Sequence, residues 1–102
     1  MGIDLQWEDE RGNMLERILD DQGLTAQILA AANVAGSVCL RFVDPYGDTV
    51  FNQQQISVFL EELRAVPAEK LSPAARSHRD KVAALAMKAQ GKVHTYLKFY
   101  GD

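Results

Sequence analysis

The chain has 102 residues, a net charge of −3 and a single cysteine. That length suits one domain with enough core to fold without metal or disulfide staples. One cysteine cannot close an internal disulfide, so nothing asks for an oxidising compartment.

The opening MGIDLQWEDE is acidic and lacks the basic-then-apolar plan of a signal peptide. Gln6 breaks the myristoylation pattern, and no apolar run approaches membrane-spanning length. The expected setting is the cytoplasm, without a membrane partner. Charge is unevenly spread. Residues 1–21 hold seven acidic and two basic side chains, and residues 70–98 hold seven basic and one acidic. Such a chain presents either two solvated surfaces or complementary patches for partners.

Ile3, Leu5 and Trp7 alternate with Asp4, Gln6 and Glu8, the period of a strand with one apolar and one acidic face. Arg11-Gly12-Asn13 signals a turn. Met14 to Leu19 reads as a strand completing a hairpin or as a helix with Asn13 and Glu16 as a capping box. The strand is preferred because it follows a short turn after a clear strand. Thr25 is placed to cap a helix through about Ala32, with Asp20 and Asp21 at its positive end and Asn33 closing it in a left-handed conformation.

Val38 to Phe51 reads as the central hairpin. Val38, Leu40 and Phe42 alternate with Cys39, Arg41 and Val43, and Thr49 to Asn52 forms the second arm. Asp44-Pro45-Tyr46-Gly47 suits a type I turn, with positive φ expected at Gly47. Asn52 and Gln55 form a capping box for a helix over 53–64, whose buried stripe is Ile56, Phe59, Leu60 and Leu63. Ser72-Pro73 opens a third helix of about 18 residues, with Val82, Leu85, Ala86 and Ala89 inward and Gly91 as its stop. Lys92 to Tyr100 reads as the last strand. Val93, Thr95, Leu97 and Phe99 face one way, and His94, Tyr96, Lys98 and Tyr100 the other. The stretch LRFVDPYGDTVFNQ resembles one in a family of uncharacterised small bacterial proteins, and the resemblance implies no activity.

The predicted fold is therefore α+β: a mostly antiparallel sheet of about five strands with three helices mainly on one face, in the order β-β-α-β-β-α-α-β. The candidate binding surface is His94, Tyr96, Lys98 and Tyr100 on the uncovered face, joined by Arg41. Tyrosine ringed by polar residues is what protein interfaces favour, so the expected partner is another protein, with the chain a monomer or a homodimer. The same tyrosines could stack bases, but the overall acidity and the missing RNP-type sequence argue against nucleic acid.

No cofactor or metal is expected. Asp44 and Asp48 lack a third acidic ligand spaced as in a calcium loop, and His78 and His94 lack a zinc signature. Nucleophilic catalysis would need Cys39 or a serine beside a histidine. Cys39 reads as a packed thiol within a strand, and His78 as the flank of a helix. The expected role is a non-enzymatic interaction module, of accessory, inhibitor or immunity type. The alternatives are a binder of small ligands or single-stranded nucleic acid, and then a small enzyme.

Overall fold

The computed structural model describes residues 2–101. It contains four strands, β1 (Asp4–Asp9), β2 (Met14–Ile18), β3 (Asp48–Phe51) and β4 (Thr95–Tyr100). There are three α-helices, α1 (Leu24–Ala31), α2 (Gln53–Arg64) and α3 (Pro73–Gln90). Short 3-10 turns stand at Val34–Gly36, Leu40–Phe42 and Ala68–Lys70. The strands form one antiparallel sheet in the order β2-β1-β4-β3. The last strand is thus inserted between the first and third, so that β1 and β4 pair directly.

The preferred strand over Met14 onward is present, turned back by Gly12 at φ 82°. Its pairing slips between Trp7 and Glu8, so that Met14 and Leu15 together oppose Glu8 in a bulge.

The expected first arm of the central hairpin is not a strand. Val38, Cys39 and Leu40 direct their backbone N–H groups at the Glu62 carboxylate, at 2.6, 2.9 and 3.0 Å. A charged acceptor on α2 takes the donors a ladder would have used, and the backbone closes into a 3-10 turn instead. The observed order is therefore β-β-α-β-α-α-β, with four strands rather than five. The surviving arm, β3, pairs with β4.

Gly47 also differs from expectation. Among the described glycines only Gly12 and Gly23 have positive φ. The Asp44 side chain makes the turn, with Oδ1 accepting from Tyr46 N at 2.9 Å. Gly101 is the residue that must lack a side chain here. A Cβ on it would sit 2.5–2.6 Å from the backbone of Asp44 and Gly47.

The helices agree more closely. Asn52 Oδ1 accepts from Gln54 and Gln55 N, while Gln55 Oε1 accepts from Asn52 N, so the capping box is complete. Ser72 Oγ accepts from Ala75 N, with Pro73 following it. The start of α1 is built differently. Thr25 lies inside the helix, and Asp20 Oδ1 and Oδ2 reach across the turn to Leu24 N and Thr25 N at 2.7 and 3.0 Å. Its end does not use a left-handed Asn33, which has φ −81°.

The helices cover the face of the sheet that carries Leu5, Phe51, Leu97 and Phe99, all buried. Phe51, Phe59 and Phe99 meet with ring centroids 5.4–5.9 Å apart, clasping β3, α2 and β4 together. Offset and edge-on contacts of this kind add to the area they bury. No helix of the described residues is long and apolar enough to cross a membrane.

Candidate functional site

The register defines the other face of the sheet. Side chains directly opposite one another in antiparallel strands share a face. One row is Arg17, Gln6, Lys98 and Val50; a second is Met14, Glu8 and Tyr96; a third is Asp4, Tyr100 and Asp48. Tyr96, Lys98 and Tyr100 are half-buried while their neighbours Thr95, Leu97 and Phe99 are buried, as strict alternation requires. Three of the four residues assigned to this stripe are therefore brought together.

His94 is not part of it. The strand begins only at Thr95, because His94 adopts φ 61° in the turn after α3, a left-handed conformation outside any ladder. Its Nδ1 lies 3.4 Å from Glu10 Oε2 at the surface. Val93 is correspondingly exposed rather than core. Arg41 is absent from the face as well. It sits on the 3-10 turn, with its guanidinium carbon 5.1 Å from the centre of the Phe42 ring.

The face is organised by one linked set of polar groups. The Tyr100 hydroxyl donates to Glu8 Oε2. Lys98 Nζ lies 4.8 Å from the centre of the Tyr100 ring and 3.8 Å from Asp48 Oδ2. Burial and the Glu8 carboxylate push the Tyr100 phenol up, which keeps it protonated and donating. The neighbouring Tyr100 side chain is the first cause that raises Lys98, with Glu8 and Asp48 adding to it. Glu8, on the acidic face of β1, is only 7% exposed.

A second polar group lies inside the molecule, where the sequence placed only the flank of a helix. His78 is 5% exposed, and its Nε2 lies 2.9 Å from Thr25 Oγ1. Thr25 Oγ1 also reaches Ile3 O at 3.3 Å, and Asp20 Oδ2 accepts from Ile3 N at 3.1 Å. A hydroxyl beside an imidazole invites comparison with a nucleophile and its base. The wiring differs from a triad. Asp20 spends its oxygens on the N–H groups of Ile3, Leu24 and Thr25, and Thr25 is itself buried. The three residues fasten the N-terminal segment and α1 to α3. Burial alone would raise the Asp20 carboxyl, but those three backbone donors outweigh it and hold it low. Burial lowers His78, against the opposing pull of Asp20.

Cys39 is buried, and desolvation together with nearby Glu62 raises its thiol, which keeps it protonated. Among the described residues no three His, Cys, Asp or Glu side chains gather closely enough to hold a metal ion. Period-two alternation could find Tyr96, Lys98 and Tyr100. The couplings to Glu8 and Asp48 depend on which strands are neighbours, and no local signal carries that. No protein-family model, curated protein or solved structure matches this chain.

Proposed function

We propose that the chain is a non-enzymatic protein-interaction module that binds a partner protein through the uncovered face of its sheet. The observation that carries this reading is the placement of Tyr96, Lys98 and Tyr100 together on the face opposite the helices. The face has the composition of a recognition surface: tyrosines, a cation held in place by its neighbours, and apolar Met14 and Val50 at its margins, both more than half exposed. An accessory, inhibitor or immunity role fits a small chain of this design, acting in the cytoplasm.

The alternative, a binder of single-stranded nucleic acid, is less favoured by the electrostatics. Among the described strand residues paired on this face, the acids Asp4, Glu8 and Asp48 stand beside two cations, Arg17 and Lys98. A phosphate backbone is drawn to a basic groove, and this is not one.

The test compares wild-type protein with a Tyr96→Ser, Lys98→Gln variant as immobilised bait for extracts of the native host. Both should give the same circular dichroism spectrum. The reading expects a protein retained by wild type and lost by the variant. Equal retention of every bound protein would remove its support. Salt-sensitive binding of a labelled oligothymidine would transfer the face to nucleic acid.

A further inference from the structure

The segment from Val38 to Tyr46 exposes a second set of apolar side chains, outside the rows of the open sheet face. Cys39, Leu40 and Val43 enter the core, while Val38, Phe42 and Tyr46 are 58%, 62% and 76% exposed. Scattered exposed apolar residues are ordinary. Three within nine residues of one short segment form a different case, because the backbone that presents them is fully bonded.

Every N–H from Val38 to Tyr46 has a partner, Pro45 having none to offer. Val38, Cys39 and Leu40 donate to Glu62. Arg41 N donates to Ser37 Oγ at 2.9 Å, and Phe42 N and Val43 N close the 3-10 turn on Cys39 O and Leu40 O. Asp44 N donates to Thr49 Oγ1, and Tyr46 N to the Asp44 side chain. The loop is thus built in advance of any contact, which reduces the ordering cost of binding.

Its charge indicates the occupant. The Arg41 guanidinium lies over the Phe42 ring, which fixes its direction, yet among the described residues no carboxylate reaches it within ion-pair distance. Glu62 is the acid whose carboxyl Arg41 helps hold low, and both of its oxygens are already taken by backbone donors. An oriented guanidinium without a carboxylate, beside an exposed phenyl ring, is complementary to an acidic side chain next to an apolar one. Exposed Asp44 and Asp48 flank Tyr46 and repel acidic groups there, which confines a partner's carboxylate to the Arg41 end of the loop.

We propose that the Val38–Tyr46 loop docks a segment of a partner protein carrying Asp or Glu beside an apolar side chain. The carboxylate bonds the Arg41 fork, and the apolar group covers Phe42.

The experiment pans a phage-displayed library of random dodecapeptides against the intact folded chain and measures the selected peptides by fluorescence anisotropy. The expected peptides pair an acidic with an apolar residue. They should weaken at least about tenfold on Phe42→Ser and on Arg41→Gln, as central contacts do, and should bind Tyr96→Ser unchanged. Both loop variants alter exposed side chains, and unchanged thermal unfolding would show that they fold. Arg41→Lys should not restore affinity, since an ammonium lacks the planar fork. Four results would each overturn the proposal: no selected peptide, peptides indifferent to both loop variants, Phe42-dependent binding to phosphatidylserine vesicles, or a Phe42-dependent dimer in light scattering. Loss on Tyr96→Ser alone would assign the peptides to the sheet face and overturn it equally.

Discussion

Tyr96 and Tyr100 stand on the same face of β4, yet only Tyr100 bonds a buried carboxylate, that of Glu8. Alternation alone treats them as equivalent surface residues, each costing about 0.5 kcal/mol or less when changed. The pairing separates them. Tyr100→Phe leaves the Glu8 carboxylate without its donor, and stranding a buried polar group costs about 1–3 kcal/mol. Tyr96→Phe should stay near the surface value. Urea denaturation of the two single variants measures the difference, and equal midpoints would show that water replaces the hydroxyl. The phenol is raised in the folded state, so it ionises earlier in the unfolded chain. Its contribution is complete below the ordinary tyrosine value of 10.0 and is lost as pH rises through the higher folded value.

Glu62 decides the conformation of an element it does not belong to. It projects from α2 and gathers the donors of Val38, Cys39 and Leu40, with burial opposing its ionisation and those three bonds and Arg41 prevailing. Glu62→Ala releases three N–H groups, of which those nearest solvent find water. The expected cost is about 2–3 kcal/mol, the scale of hydrogen bonds to a charged group. Glu62→Gln should cost less, since one oxygen remains to accept. Hydrogen exchange at Val38, Cys39 and Leu40 provides the local readout. Protection unchanged in Glu62→Ala would show that the 3-10 turn holds itself. Loss of this anchor would loosen the Arg41–Phe42 surface without touching either side chain.

For the whole molecule, the buried His78–Thr25–Asp20 set joins the N-terminal segment, the turn before α1, α1 itself and α3. The charged groups acting on His78 are Asp20, which favours its protonation, and Lys81 on its own helix, which opposes it together with burial. The folded value lies below the ordinary 6.5, so the imidazole is held neutral. Stability from this group is present above 6.5 and is lost as pH falls through the folded value, because unfolding then takes up a proton. The slope from one such proton is at most about 1.4 kcal/mol per pH unit. Asp20 is also lowered, but from 3.8, so its loss falls in a separate and more acid window. Denaturation midpoints taken between pH 7 and pH 5 should decline in wild type and flatten in His78→Gln. Parallel curves would assign the decline to another group.

What the sequence determined by itself was local and periodic. The Asn52–Gln55 box, the Ser72-Pro73 start, the stripe of α2 and the alternation of β4 each depend on residues within a turn or two of one another, and each is present. The α+β class, the three helices and the sharing of one face by Tyr96, Lys98 and Tyr100 follow from the same short-range rules. The tertiary structure decided wherever a distant polar group competed for the backbone. Cys39 to Val43 alternates like a strand, but a carboxylate more than twenty residues away in sequence supplies stronger acceptors than a neighbouring strand would. Asp20 likewise supplies the acceptor at the start of α1 that Thr25 was expected to supply, and frees the Thr25 hydroxyl for His78. Placement of β4 between β1 and β3 is non-local too, and it alone brings Glu8 to Tyr100 and Asp48 to Lys98. Periodicity specifies which way a side chain points. Which partner it meets there depends on how the strands and helices pack across the whole chain.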